Sequence, residues 1–201
     1  MIAAVVAAAI GMCHADSPLT STDFSKAYMD IPIVQQAASE GVMSLELAEH
    51  LSSPDVSIDI KAAVIDALGW SVNGKHNAEL YRYYLALRYR RPLDEPTPDL
   101  LMADEMFCLG YLTAMDDYFH VEKAIPLLAR ARARNPKSFT VAIILAMAKG
   151  QAVRSKSFEK SWQMVEQVLN NEGLNQDLRE KAKEAIVAYM KLYKTPKHQN
   201  Q

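Results

Sequence analysis

The chain has 201 residues, which is enough for one domain with a hydrophobic core or for two small ones. Its 22 Lys and Arg residues against 24 Asp and Glu residues give a formal net charge of −2, which excludes a global field that would attract nucleic acid or an anionic membrane. Only 7 Gly and 9 Pro residues interrupt a composition rich in good helix formers. The composition therefore predicts an all-α protein.

The N-terminus resembles an export signal. Residues 1–12 are apolar and uncharged, but a membrane-spanning helix needs about 20 such residues. Cys13 and Ala15 are the small residues that a signal peptidase recognises, so the sequence predicts a signal peptide over 1–15 with cleavage after Ala15. This predicts a periplasmic or secreted protein without a stable membrane span in the mature chain. The stretch lacks the usual Lys or Arg, and the alternatives are an apolar terminus of a cytosolic protein or lipid attachment at Cys13.

Helix starts and stops recur at short range through an N-terminal helical region, residues 16–91. The predicted starts are Asp23, Pro32, Ser44, Val56 and Asn77, and the predicted ends are Gly41, residues 52–55, Asn73-Gly74 and Pro92. The last two of these helices carry apolar stripes at helical spacing, Ile58, Ala62, Ile65, Gly69 and Val72 in one and Leu80, Tyr84, Leu87 and Arg91 in the other. We expect these two stripes to face the core.

A Pro-rich linker over residues 92–98 is the best internal boundary, because three prolines in seven residues exclude a helix interior. Residues 99–194 then carry further amphipathic helices, and residues 195–201 form a tail that we expect to be disordered. The predicted inward residues are Leu101, Cys108, Tyr111, Leu112 and Met115, then Ala124, Leu127, Leu128 and Ala131, then Phe158, Trp162, Val165 and Leu169, and last Leu178, Ala182, Ala185, Tyr189 and Leu192. The run 139–148 is apolar almost all round and predicts a central helix.

Residues 100–173 resemble two tetratricopeptide repeats, whose unit is a helical hairpin of 34 residues. The first unit has Leu109-Gly110 in its first helix, Ala124, Leu128 and Ala131 in its second, and the closing Pro136. The second unit has Ala148, Ser161, Val165 and Gly173 at corresponding places, with 37 positions between Ala124 and Ser161. Residues 55–91 weakly resemble a HEAT or tetratricopeptide hairpin. The resemblance implies an alpha-alpha superhelix, a solenoid of stacked hairpins closed by a C-terminal capping helix; the alternative is an unrelated helical bundle.

No segment carries a recognisable catalytic, cofactor or phosphate-binding motif, so the sequence predicts no catalytic residue, no cofactor and no metal. The best local set of polar groups is Asp116, Asp117, His120 and Glu122, whose spacing is more typical of a solvated turn than of a metal loop. Cys108 stands between Phe107 and Leu109, which favours a buried structural cysteine over a nucleophile.

One helix interleaves tyrosine and arginine in a way that can serve as a contact surface. Its members are Tyr81, Arg82, Tyr83, Tyr84, Arg88, Tyr89, Arg90 and Arg91. Such a helix can stack bases and pair phosphates. An ordinary helix surface is the preferred interpretation, a protein or peptide contact is the next, and nucleic acid is not expected.

The function that the sequence favours is an exported, non-catalytic module for protein interaction, because tetratricopeptide repeats bind a peptide or partner segment in a groove lined by the first helices of successive hairpins. An enzyme with a helical fold, such as a hydrolase using His120 and the neighbouring carboxylates, is the first alternative. A structural subunit of an envelope complex is the second, for which we expect an exposed apolar patch on the terminal hairpin.

Overall fold

A computed structural model of the protein describes residues 17–92, 100–153 and 157–194. These residues form nine α-helices, three short 3-10 helices and no β-strand. The α-helices are α1 Pro32–Glu40, α2 Leu45–Ser52, α3 Ile58–Leu68, α4 Asn77–Tyr89, α5 Ala103–Asp116, α6 Ile125–Arg134, α7 Phe139–Val153, α8 Phe158–Leu169 and α9 Glu180–Met190. The 3-10 helices are Phe24–Tyr28, Val121–Lys123 and Lys191–Tyr193. The all-α prediction is confirmed. The predicted signal peptide, most of the Pro-rich linker and the tail lie outside the described residues.

Local sequence signals set several helix ends as predicted. Pro32 occupies the first turn of α1, where its missing N–H has no helical acceptor, and Gly41 ends that helix in the left-handed region at φ 64°. The Ser44 side chain accepts a hydrogen bond from the Leu47 N–H at the start of α2. Pro126 likewise lies in the first turn of α6. These ends follow from residues within a few positions of one another, which is why the sequence could predict them.

Two helices form the centre of the core. Every residue of α7 from Phe139 to Ala148 is buried, which confirms the central helix predicted from its all-round apolar character. Helix α5 is almost as deeply enclosed, and it packs against α3, α4 and α6. Helix α3 contacts both α5 and α7. The centrality of α5 was not predicted, because only one of its faces was expected to be inward.

The apolar stripe predicted for α4 was wrong. Leu80 is 40% exposed and Leu87 is 78% exposed, while Ala78, Tyr81 and Leu85 are the apolar residues that this helix buries. Both sets have helical spacing, so periodicity alone could not choose between them. The buried set is the one that meets α5, and the Tyr81 hydroxyl lies 2.9 Å from Ser52 Oγ of α2.

Smaller errors occur at the ends of three other predicted stripes. Val72 and Leu192 are exposed, and Phe158 is partly exposed against the Tyr193 ring, with 5.2 Å between the ring centroids. Each of these residues lies at or beyond the end of its helix, where the helical period no longer decides direction. The central positions of the same stripes, including Ile65 and Val165, are fully buried.

The two ends of the described chain meet. Helix α9 packs against the 3-10 helix Phe24–Tyr28, which also packs against α3. The Tyr28 hydroxyl donates to Asp59 Oδ2 at 2.9 Å and accepts from the Arg179 N–H at 2.9 Å. The Arg179 guanidinium lies 4.4 Å from the centre of the Tyr28 ring and also pairs with Asp30. Tyr28 therefore links the N-terminal segment, α3 and the start of α9.

Candidate functional site

The main candidate site is a groove of about 460 Å³ formed by α7, α8 and the end of α6, here called the α7/α8 groove. Its α7 side consists of Ala142, Leu145, Ala146 and Lys149, which the i, i+3, i+4, i+7 spacing places on one helix face. Its apolar lining is completed by Met164, Val168 and Leu174. The two alanines leave the space that longer side chains would occupy. The floor is therefore apolar and open.

The rim of the α7/α8 groove is polar and positively charged. Arg132, Lys149, Gln167 and Asn171 are its polar lining residues. The Lys149 side chain is exposed, and Arg132 is partly buried with Nη1 donating to the Asn135 carbonyl at 3.0 Å. No carboxylate lines this groove among the residues that the structure describes. A ligand with apolar groups and negative charge would match such a surface.

The hairpin that carries the groove is held closed by a small-residue contact. A Cβ placed on Gly150 of α7 would lie 3.3 Å from the Ser161 Cβ and 3.4 Å from the Ser161 Cα of α8. Ser161 Oγ donates to the Gly150 carbonyl at 2.8 Å. The sequence comparison of the two units aligned Ala148 and Ser161 but did not identify Gly150. The sequence did contain a signal for this contact, because Gly150 is a glycine about one turn before the end of an apolar helix.

The preceding hairpin shows the same kind of crossing. A Cβ on Gly110 of α5 would lie 3.0 Å from the Leu128 Cγ and 3.1 Å from the Leu127 Cβ of α6. Helix α5 contributes no residue to the α7/α8 groove, because α3, α4 and α6 enclose it. The observed groove is thus formed by the second hairpin and the end of α6, unlike the surface across two first helices that the tetratricopeptide resemblance implies.

A second cleft of about 370 Å³ contains the predicted polar set around His120. Asp116, Asp117 and His120 line it together with His76 and Lys75, whereas Glu122 does not contribute. His120 Nδ1 lies 3.0 Å from Asp117 Oδ1, and both side chains are largely exposed. The structure thus brings three of the four predicted residues into one cleft and adds a histidine and a lysine from the loop before α4.

Two polar groups of this cleft, the partly buried Lys75 and the buried Asp116, hold the backbone in place. Lys75 Nζ donates to the carbonyls of Gly41 and Leu68, at 2.7 Å and 2.5 Å, and so caps the C-terminal ends of α1 and α3. Asp116 Oδ2 accepts from the Ala78 N–H at 2.6 Å and caps the start of α4. Burial raises the pKa of Asp116, and the N–H donors at the helix start oppose that rise. The side chain of Asn77, the predicted start of this helix, accepts from the Met43 N–H.

The tyrosine- and arginine-rich helix is α4, and part of this set is directed inward. Tyr89 donates to Glu105 Oε2 at 2.6 Å, and Arg88 Nε lies 3.4 Å from Glu105 Oε1. Tyr81 is fully buried. Glu79 Oε2, at the start of the same helix, lies 3.4 Å from His76 Nδ1. The aromatic and basic groups are therefore not arranged as one stacking surface.

Cys108 is fully buried, as predicted, and its Sγ donates to the Leu51 carbonyl at 3.8 Å. Burial raises the pKa of its thiol, so the reactive thiolate is disfavoured. Within residues 17–92, 100–153 and 157–194, no group of three or more His, Cys, Asp or Glu residues has a geometry that could hold a metal ion. In the same part of the chain, no α-helix has both the length and the apolar character needed to cross a membrane.

Comparison of the chain with protein-family models, curated proteins and solved structures gives no match in any of the three. The class that the fold defines is an all-α protein with a groove on its second C-terminal hairpin. Its function has to be inferred from this surface and from the groups that line it.

Proposed function

We propose that the protein is a non-catalytic interaction module that binds an extended, acidic segment of a partner protein in the α7/α8 groove. The observation that carries this proposal is the combination of an apolar floor with two cationic side chains, Arg132 and Lys149, and no acidic residue among the described lining. An extended segment could place apolar side chains on Ala142 and Ala146 and carboxylates beside the rim.

The apolar floor and the charged rim of the groove would contribute to binding in different ways. Covering the apolar floor removes surface from water, which supplies about 25 cal/mol per Å² buried. The exposed rim charges contribute mainly to specificity and to the association rate. Since exposed charges are screened over about 8–10 Å at physiological salt, we expect binding to weaken as salt concentration rises.

A tetratricopeptide-like solenoid is part of the proposal. Its support is that α5 with α6 and α7 with α8 cross at a glycine in each first helix, Gly110 and Gly150. Small residues at a crossing allow close helix approach, and each hairpin then needs a neighbour to cover its apolar face. In this arrangement α9 is the capping helix, and it also contacts the N-terminal 3-10 helix.

We also propose that the protein is exported, which the sequence of residues 1–15 supports. N-terminal sequencing of the protein purified from the envelope fraction of its native cells tests it. A mature N-terminus at Asp16 is the expected result, and a retained Met1 would contradict cleavage after Ala15.

Panning of a random dodecapeptide library on the immobilised protein tests the binding proposal. We expect enrichment of peptides that combine Asp or Glu with apolar residues, and loss of that enrichment on Lys149→Glu. Lys160→Glu is the matched control, because it makes the same charge change at an exposed position of α8 that does not line the groove. Equal enrichment on all three proteins, or enrichment without acidic residues, would contradict the proposal.

A hydrolase remains the second candidate, favoured by the His120–Asp117 hydrogen bond in the second cleft. In hydrolases a carboxylate orients a histidine that acts as a general base. The hydrolase alternative is tested by measuring hydrolysis of a panel of esters by the wild type, by His120→Ala and by the control His76→Ala. Activity lost only in His120→Ala would support a hydrolase, and equal background rates in all three would exclude this role for His120.

A further inference from the structure

A third cavity, of about 390 Å³, lies between α1, α3 and the N-terminal segment. Its apolar lining includes Met29, Ala38 and Met115, and its volume falls in the range of about 300–1,000 Å³ that small-molecule sites occupy. Trp70 also lines it; the residue is 42% exposed, and its Nε1–H donates to the Thr20 carbonyl at 3.0 Å. The indole is therefore fixed in place and presented to solvent.

A buried carboxylate lines this cavity. Asp66 of α3 is only 8% exposed; its Oδ2 accepts from the Ser25 N–H at 2.8 Å and its Oδ1 from the Tyr111 hydroxyl at 3.3 Å. Within the described part of the chain, no Lys, Arg or His lies at ion-pair distance from Asp66. Each carboxylate oxygen has two acceptor positions, so these two bonds and a third from the Ser25 hydroxyl still leave acceptor capacity.

Among the described lining residues, Lys26 is the only cation, and it attracts Asp66 from a distance without forming an ion pair with it. Lys26, on the cavity lining, pairs with Asp23 at 2.7 Å, and both of these side chains are largely exposed. The remaining ionisable neighbour is the buried Tyr111, which is neutral. A buried charge without an ionic partner is costly, and an incoming cation would remove that cost.

We propose that this cavity, the Asp66 cavity, is a binding site for a primary ammonium group carried on a small apolar body. The ammonium would pair with Asp66, and the apolar body would lie against Met29, Met115 and the Trp70 ring. An ammonium group near an indole face gains an additional cation–π attraction. This site is separate from the α7/α8 groove, so its test is independent of the proposed function.

The ionisation of Asp66 predicts how such binding depends on pH. Burial raises the pKa of Asp66 to about 7, although the bonds from Ser25 and Tyr111 oppose the rise and Asp23 adds to it. Only the ionised carboxylate attracts an ammonium group. Alkylammonium groups stay charged below about pH 9, as Lys does. Affinity should therefore fall roughly tenfold from pH 8 to pH 6, because the ionised fraction falls by that factor.

Titration of the ¹⁵N-labelled protein with phenethylamine, followed by NMR at the Nε1–H signal of the Trp70 indole, tests the site. The neutral isostere 2-phenylethanol and the anion phenylacetate are the comparison probes, and Trp162, the other tryptophan of the chain, is the internal reference. We expect phenethylamine to shift the Trp70 signal and to bind at least tenfold more tightly than either comparison probe at pH 8. Equal binding of 2-phenylethanol, or an unchanged Trp70 signal, would overturn the proposal.

Two variants separate ligand binding from folding. Asp66→Asn keeps an acceptor for the Ser25 N–H while it removes the charge, and Asp55→Asn makes the same change at an exposed position before the start of α3. We expect Asp66→Asn alone to abolish the preference for phenethylamine. Ala38→Phe, at an exposed α1 position on the cavity lining, should block binding of phenethylamine with Asp66 intact. Unchanged phenethylamine binding in both variants would exclude the site.

The ammonium group can come from a free amine or from a peptide N-terminus. Titration with Phe-Ala amide and with its N-acetylated form distinguishes these sources. Binding of Phe-Ala amide that is lost on acetylation supports recognition of a polypeptide N-terminus, and binding of phenethylamine alone supports a free amine. Equal binding of the acetylated and free peptides would count against recognition of the ammonium group.

Discussion

Ser161 Oγ donates a hydrogen bond of 2.8 Å to the Gly150 carbonyl, at the point where α7 and α8 cross. The Ser161 Cα would lie only 3.4 Å from a Cβ at position 150, and backbone cannot move aside as a side-chain end can. The contact sets how closely the two helices of the groove approach each other.

The first prediction follows from this contact. Gly150→Leu should destabilise the protein by about 2 kcal/mol, since overpacking outweighs the better helix propensity of leucine. Ala133→Leu, at an exposed position of α6, is the control and should change the stability by less than about 0.5 kcal/mol. Urea unfolding measures both. A Gly150→Leu protein as stable as the wild type would mean that the crossing is not tightly packed.

The second prediction concerns a buried ion pair between α3 and α5. Lys61 is fully buried, and its Nζ lies 2.8 Å from Asp104 Oδ2, whose side chain is 31% exposed. Asp104→Ala leaves the buried ammonium without its partner and should lower the free energy of unfolding by about 3 kcal/mol. Lys61→Met with Asp104→Ala removes both charges and should restore most of that loss. A double variant as unstable as Asp104→Ala would show that the charge is not the cause.

The third prediction compares two neighbouring carboxylates. Asp116 caps α4 from the end of α5, whereas the Asp117 side chain is 45% exposed and hydrogen-bonds only His120 among the described residues. Asp116→Ala should cost about 1–2 kcal/mol, as the loss of a helix cap does, and Asp117→Ala less than about 0.5 kcal/mol. Thermal unfolding of the two variants side by side measures the difference. Equal melting temperatures would contradict the capping role.

The fourth prediction is a dependence of stability on pH. The pKa of Asp66 is about 7 in the folded protein against an ordinary value of 3.8, so the folded state holds this proton where the unfolded state has lost it. The Asp66 contribution is therefore most favourable below about pH 4 and is lost as the pH rises to about 7, by up to about 4 kcal/mol. Asp66→Asn should remove this loss, so the variant should be more stable than the wild type at pH 8. Urea midpoints at pH 5 and pH 8 measure it, and parallel changes in both proteins would contradict it.

How far the sequence predicts the fold can be seen in the helix starts. Pro32 and Ser44 act within their own turns and were predicted correctly. The start of α7 has a local cap, Ser138 Oγ, which accepts from the Val141 N–H at 3.1 Å. The start of α4 depends on Asp116, and the start of α7 depends additionally on Asp177, whose Oδ1 accepts from the Thr140 N–H at 2.8 Å. These caps come from residues 38 and 37 positions away. No local pattern marks such a partner.

The prediction of functional sites from the sequence was limited in the same way. The polar turn around His120 was recognised because its residues are adjacent in sequence. The α7/α8 groove and the Asp66 cavity were not, because each collects residues from separate elements. In α4 two apolar sets had helical spacing, and only the position of α5 decided which set was buried. Periodicity gives the existence of a helix, but tertiary contacts give its orientation.

The most direct test of the proposed function is the affinity of one acidic peptide, enriched by panning on the wild type, for three proteins. Fluorescence polarisation of the labelled peptide gives the Kd for the wild type, Lys149→Glu and the control Lys160→Glu. We expect Lys149→Glu to weaken binding by at least about tenfold, or about 1.4 kcal/mol, and Lys160→Glu to change it less than about twofold. Equal weakening by both variants, or no change with Lys149→Glu, would contradict the α7/α8 groove as the binding site.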